Sequence, residues 1–170
     1  MSAEEWVKLE EDAAMRVTNP GVTPLEEMRT RSGLEFLRDI ASGVLPLPPI
    51  GKTLNFFLLE ADEGRVVFQG TPTFDFYNPI GTVHGGWAAT LLDSCMGCAV
   101  HSTLKKGYGY TTAELKLNLV RPMSDRTGPV RAEGKVIHAG RQIATSEGRL
   151  VGADGKLYAH GTTTCVIFGI

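Results

Sequence analysis

The sequence predicts an α+β fold in which one long helix lies against a single antiparallel sheet. Three features lead there. A hairpin pattern runs through residues 53–72, a mostly apolar helical segment occupies residues 87–102, and four strand-like runs follow at 110–121, 129–139, 142–152 and 156–168. Strands gathered on either side of a solitary helix, rather than alternating with helices, favour one sheet packed on one helix.

The elements follow in order. Residues 1–20 are polar and read as a loosely held, frayed helix at most. From Pro24 the pattern changes: Leu25, Met28, Leu34, Phe36, Leu37 and Ile40 recur at near-helical spacing, and proline suits a first helical turn. Gly43 and the run Pro46-Leu47-Pro48-Pro49 end that helix. Residues 1–50 are therefore expected to form an extension that packs on a main domain of residues 51–170. Within the hairpin, Leu54, Phe56 and Leu58, then Val66 and Phe68, alternate around an Asp62-Glu63-Gly64 turn. Pro122 with Gly128-Pro129, then Gly140, then Asp154-Gly155 separate the later strands, which read as a meander.

Composition narrows the function classes. A length of 170 residues suits one domain, and 42% apolar with 21% charged residues suits a soluble one. A net charge of −2 advertises no basic surface, so no nucleic-acid partner is expected. No run approaches the roughly 20 apolar residues a membrane helix needs. The acidic start, MSAEEWVKLEEDAAM, lacks the basic-then-apolar order of a secretory signal, and three cysteines make a poor disulfide framework. A cytoplasmic location is the expectation.

The central helix is more informative. On a wheel at about 100° per residue, ten apolar or small residues from Trp87 to Val100 cover roughly two-thirds of the circumference. Thr90, Asp93, Ser94, Gly97 and His101 share the remaining stripe. Such a helix should be largely enclosed, with Asp93 at its margin beside the open position of Gly97. A carboxylate there is more often simply solvated than tuned for chemistry.

The preceding segment, Asn78-Pro79-Ile80-Gly81-Thr82-Val83-His84-Gly85-Gly86, changes that balance. Two glycines at a helix start leave backbone N–H groups bare where the helix dipole favours negative charge. That suits an oxyanion hole for acyl transfer, with Asn78 and His84 as further polar groups, although a tight loop also needs glycine. Asp93 lies eight residues beyond Gly85, about 12 Å along a helix. One acyl carbon cannot touch both groups of the same chain. An antiparallel helix from a second subunit would bring its own Asp93 opposite Gly85.

With these residues in view, the sequence resembles the PaaI-like branch of the hot-dog thioesterase superfamily. The resemblance rests on Asn78 to Gly86 (N-P-x-G-x-x-H-G-G), Leu91-Leu92-Asp93, Tyr110-Thr111-Thr112, the strand from Glu114 to Pro122, His138-Ala139-Gly140-Arg141 and the tail from Asp154 to Thr164. It covers about residues 50–168. It implies a helix wrapped by a five- or six-stranded antiparallel sheet, a homodimer with a continuous sheet, often paired again into a homotetramer, and hydrolysis of acyl-coenzyme A without metal or further cofactor. Carried over by position, the Gly85 N–H polarises the thioester carbonyl, with Asn78 and His84 nearby. Asp93 of the other subunit is the base or nucleophile, and Thr111 helps hold that carboxylate or its water. Gly86, Trp87 and Gly97 are expected beside the substrate. Arg121 and Arg141 are the candidates for coenzyme A phosphates, each at best evenly weighed against a solvated strand-end charge.

Other motifs are weaker. Cys95-Met96-Gly97-Cys98 spells C-x-x-C, but both cysteines fall in the apolar arc of the helix, where core packing is the better reading. The four histidines show no metal-ligand spacing. Two further readings stay open: a hydratase or dehydratase pairing His84 with Asp93, and a non-catalytic acyl-binding protein.

Overall fold

The computed structural model describes residues 1–17 and 19–170. Four helices come first: α1 (Ala3–Arg16), α2 (Leu25–Arg29), α3 (Gly33–Ser42) and α4 (Pro49–Thr53). The hairpin β1 (Phe56–Asp62) and β2 (Arg65–Gly70), the central helix α5 (Gly85–His101), and β3 (Tyr108–Leu119), β4 (Val130–Ala139), β5 (Ile143–Gly152) and β6 (Leu157–Gly169) complete the chain. The six strands form one sheet in the order β1-β2-β4-β5-β6-β3, and every neighbouring pair is antiparallel. The predicted hot-dog arrangement of a helix against such a sheet is present.

Strands β4, β5 and β6 form the expected meander, but β3 lies beyond β6 at the far edge. Helix α5 crosses the sheet face from the end of β2 and delivers the chain there. Residues 120–129 then carry it back to β4, fastened on the way by Val83 N–H donating to the Met123 carbonyl at 3.0 Å.

The enclosure of α5 is close to complete. Leu91, Leu92, Cys95, Met96, Ala99 and Val100 are fully buried. Two sheet glycines make the trough it lies in: a Cβ on Gly134 would meet the Cys95 carbonyl oxygen at 2.2 Å, and one on Gly148 the Met96 Cγ at 2.7 Å. Ser146 Oγ donates to the Met96 carbonyl at 2.9 Å, so helix and β5 are also tied by a buried hydrogen bond.

The extension departs from its predicted form in two ways. Residues 3–16 are not loose: Ser2 and Glu5 form a capping box, and Trp6, Glu10 and Ala13 form a buried stripe. The predicted single helix over 25–40 is two helices, because Ser32 and Glu35 make a second capping box that starts α3 afresh. Gly43 ends α3 in the left-handed conformation, at φ +80°.

Helix α1 covers the β1, β2 and β4 side of the sheet face opposite α5. Gln69 and Arg131 alternate along their strands with Phe68, Val130 and Ala132, which face the core. The Gln69 amide donates to the Trp6 carbonyl at 2.7 Å and to Glu10 at 3.1 Å, and accepts from Arg131 at 2.9 Å. The Arg131 guanidinium lies 4.3 Å from the Trp6 ring centroid, a cation–π contact. Burial raises the Glu10 carboxyl above its usual range, even though Gln69 and Thr71 both donate to it. With α1 on one face and α3 against β1 on the other, the extension wraps the β1 edge. The β3 edge, by contrast, is long, and no strand pairs with its outer side among the described residues.

Candidate active site

Residues 77–84 form a compact loop opened by the Tyr77–Val83 bridge and turned at Gly81, φ +86°. The Asn78 side chain organises it: its carbonyl accepts from the Ile80 and Thr82 N–H groups at 3.1 and 3.2 Å, and its amide donates to Thr82 Oγ1 at 2.9 Å. Asn78 is therefore held by the loop through Oδ1 and one amide N–H, and its second amide N–H has no partner among the described residues. His84 is the N-cap of α5, and its Nδ1 accepts from the Gly86 N–H at 2.8 Å. That occupies Gly86 and leaves the Gly85 N–H without a hydrogen-bond partner among the described residues. The two-glycine donor pair expected from sequence thus narrows to one free N–H at the positive end of a 17-residue helix.

This N–H borders a hollow of about 310 Å³ whose wall includes Asn78, Thr82, Leu119, Arg121 and Tyr158. Arg121 is exposed at the rim, its Nε donating to the Leu157 carbonyl at 3.4 Å. Asn78, His84, Gly85, Gly86 and Arg121 are therefore gathered at one end of the sheet. Arg141 is not with them: it sits in the bend between β4 and β5, at the opposite end of the sheet. Trp87 is also elsewhere, buried in the core with its ring stacked on Phe76 and its Nε1 donating to the Leu54 carbonyl at 2.8 Å.

Asp93 lies two turns along α5, half-buried, and its Oδ1 accepts from Thr112 Oγ1 at 2.9 Å. Sequence reasoning assigned that supporting hydroxyl to Thr111. Alternation along β3 decides otherwise: Thr112 faces the helix, while Thr111 is exposed on the other face. Two residues back on the inner face, the Tyr110 ring covers Gly97, where a Cβ would meet Tyr110 Cε2 at 2.7 Å. Gly97 is therefore buried under an aromatic ring rather than open beside Asp93, because only a bare helix position lets that ring so close. Tyr110 went unnoticed as a site neighbour because which strand residues face inward depends on the phase of β3 against α5.

The thiols here are not poised to react. Burial pushes the Cys98 thiol up to about 12, and raises Cys95 well above its ordinary value, with Cys98 and Asp93 adding repulsion. Cys95 packs in the core, and Cys98 lies 3.9 Å from the Tyr110 hydroxyl. Among the described residues no three His, Cys, Asp or Glu side chains cluster to hold a metal ion, and no helix is long and apolar enough to cross a membrane.

Comparison with known proteins agrees with this geometry. Residues 80–159, from the loop through β5 to the start of β6, match the model of the thioesterase superfamily. A candidate esterase of Saccharolobus solfataricus is 33% identical over 110 residues, 65% of this chain and 76% of that one. A candidate thioesterase from Ralstonia eutropha, named as related to phenylacetic acid degradation, is 30% identical with a TM-score of 0.69, covering 80% of this chain and 99% of its own. The PaaI protein of Escherichia coli, from the phenylacetic acid degradation operon, shares the fold at a TM-score of 0.70 and 22% identity, covering 81% of this chain and 97% of its own. A half-buried carboxylate braced by Thr112, a free N–H at the start of the enclosed helix and these relatives lead to one conclusion: the chain belongs to the thioesterase superfamily, as a PaaI-like hot-dog protein with thioesterase-type hydrolase chemistry.

Proposed function

We propose that the protein hydrolyses acyl-coenzyme A thioesters at a site shared by two subunits, with the Gly85 N–H of one and Asp93 of the other. The observation that carries this reading is the unpartnered Gly85 N–H on its hollow, with the Asp93–Thr112 pair two turns away. A separation of about 12 Å along the helix prevents one chain from using both on the same carbonyl. Strand β3, 12 residues long and paired among the described residues with β6 alone, offers an edge for a second copy and exposes Leu115 and Leu119. Pairing of two such edges would run the two α5 helices antiparallel.

In this scheme the thioester carbonyl takes a hydrogen bond from Gly85 N–H, which strengthens as negative charge develops on the oxygen. Asp93 either removes a proton from an attacking water or attacks the carbonyl carbon itself. In the second case an acyl anhydride forms and is then hydrolysed. Thr112 donates to Oδ1 and so fixes the carboxylate. Coenzyme A leaves as the thiolate and takes a proton from the protonated Asp93 in the first route or from water in the second, with Arg121 at the rim to meet its phosphates. His84 is engaged as a cap through Nδ1, which leaves Nε2 able to exchange a proton, so release of free thiol rather than a change in acyl unsaturation separates hydrolysis from the hydratase alternative.

The test is thiol release from purified acyl-coenzyme A esters by wild type and Asp93→Asn, alongside sedimentation to fix subunit number. Asn keeps the shape and loses the basicity, so turnover should fall by about 10³-fold or more while the fold persists. Full activity in the variant, or in a protein that sediments as a monomer, would overturn the shared-carboxylate scheme.

A further inference from the structure

We propose that the apolar chamber between the N-terminal extension and the last turns of α5 is the acyl-chain subsite, and that residues 28–48 set the chain length it accepts. This rests on the hydrolase reading above. The chamber has a volume of about 280 Å³, is partly open at the surface, and its walls include Phe36 and Ile40 of α3, Leu58 of β1, Phe68 of β2 and Tyr110 of β3.

Position is the first argument. Tyr110 belongs both to the chamber and to the surroundings of Asp93. Its ring rests on Gly97, one turn beyond the carboxylate, and Thr112 on the same strand face donates to Asp93. The chamber therefore begins about 5–6 Å along the helix from the proposed reacting group. An acyl tail leaving the carbonyl past Asp93 runs toward it along α5, beside the Tyr110 ring that lies between the two.

The walls are the second argument. Met28, Phe36, Leu37, Ile40, Leu47 and Pro48 supply the extension's side, all apolar. The polar groups opposite are uncharged at neutral pH: burial lowers His101 to about 4 and lifts Cys98 to about 12. Such walls favour a hydrocarbon and offer nothing to a charged tail. An apolar hollow of this size, partly open at the surface, has the dimensions and lining of a small-ligand pocket.

The extension's side of the chamber is fixed in place. Gly33 opens α3 directly against the end of α5, where a Cβ would overlap the His101 carbonyl oxygen at 1.7 Å, and its N–H donates to the Leu104 carbonyl at 3.0 Å. Capacity then names the substrate class. At roughly 30 Å³ per water-sized group, which is also about a methylene, the chamber holds about nine such groups. A straight-chain acyl group of about eight to ten carbons fills it; acetyl leaves it empty and palmitoyl overruns it.

The experiment uses the full chain and saturated acyl-coenzyme A esters from butyryl to palmitoyl. Ile40→Phe fills the chamber and should cut the decanoyl-to-butyryl ratio of kcat/KM by about tenfold or more. Phe36→Ala, at a half-buried wall position, should raise the myristoyl-to-decanoyl ratio by about tenfold. Calorimetric binding of free decanoate, weakened in Ile40→Phe, gives a readout independent of turnover. Hydrolysis with an unchanged length profile in both folded variants would overturn the subsite and leave the hydrolase reading standing. Absence of hydrolysis, with decanoate binding that Ile40→Phe removes, would overturn the hydrolase reading and retain the chamber as an acyl site. Neither hydrolysis nor binding would overturn both.

Discussion

Replacing His101 with phenylalanine should make the protein more resistant to acid. The imidazole is buried at the end of α5, and its Nδ1 has no hydrogen-bond partner among the described residues. Its ring packs edge-on against Phe36 and tilted against Tyr110, both at 5.5 Å, which a phenyl ring can reproduce. Burial holds the folded-state pKa near 4, against an ordinary value of 6.5. Between those values the unfolded chain binds a proton that the folded one does not, so stability falls as pH drops below about 6.5 and the loss levels off below about 4. From these two values the loss is about 2 kcal/mol at pH 5 and about 3 kcal/mol at pH 4. His101→Phe removes this contribution and leaves every other titrating group in place. Urea unfolding at fixed protein concentration, followed by the fluorescence of buried Trp6 and Trp87, should show the variant's advantage widening by about 2 kcal/mol from pH 7 to pH 5. At pH 7 the variant should already lead by about 1 kcal/mol, because an unpartnered polar group has left the interior. Parallel pH curves for the two proteins would refute the reasoning and place the His101 ring in contact with water.

Two other outcomes follow from single contacts. Thr112→Val removes a hydrogen bond to a carboxylate, worth about 1.5–3 kcal/mol, and should lower kcat/KM by roughly 10–100-fold; a larger loss in Thr111→Val would return the supporting role to that residue. Gly134→Ala drives a Cβ into the Cys95 backbone, where no side chain can move aside, so α5 must shift off β4 and the cost should reach about 3 kcal/mol in a urea melt. A melt matching wild type would show that the helix does not seat on β4 this closely.

How much of this was legible beforehand depended on the range of the physics. The capping boxes at Ser2–Glu5 and Ser32–Glu35 were readable as S-x-x-E, and the first would have found α1 and the second the break before α3. What no local pattern contains is why α1 stays in place. Trp6 and Glu10 meet Gln69, about 60 residues later, and Gln69 in turn meets Arg131, a further 62 residues on.

By itself the sequence determined the central helix, the hairpin, the positions of the six strands and the loop-plus-Asp93 pattern that marks the family. These depend on periodicity, glycine and proline, and short spacings, all of which act within a few residues. Only the tertiary structure decided that β3 takes the far edge, that Thr112 rather than Thr111 braces Asp93, and that His84 occupies the Gly86 N–H. It also decided that the extension supplies one wall of an apolar chamber beside the end of α5. Each of these depends on how one element is phased or docked against another, and that is set by packing between residues far apart in the chain.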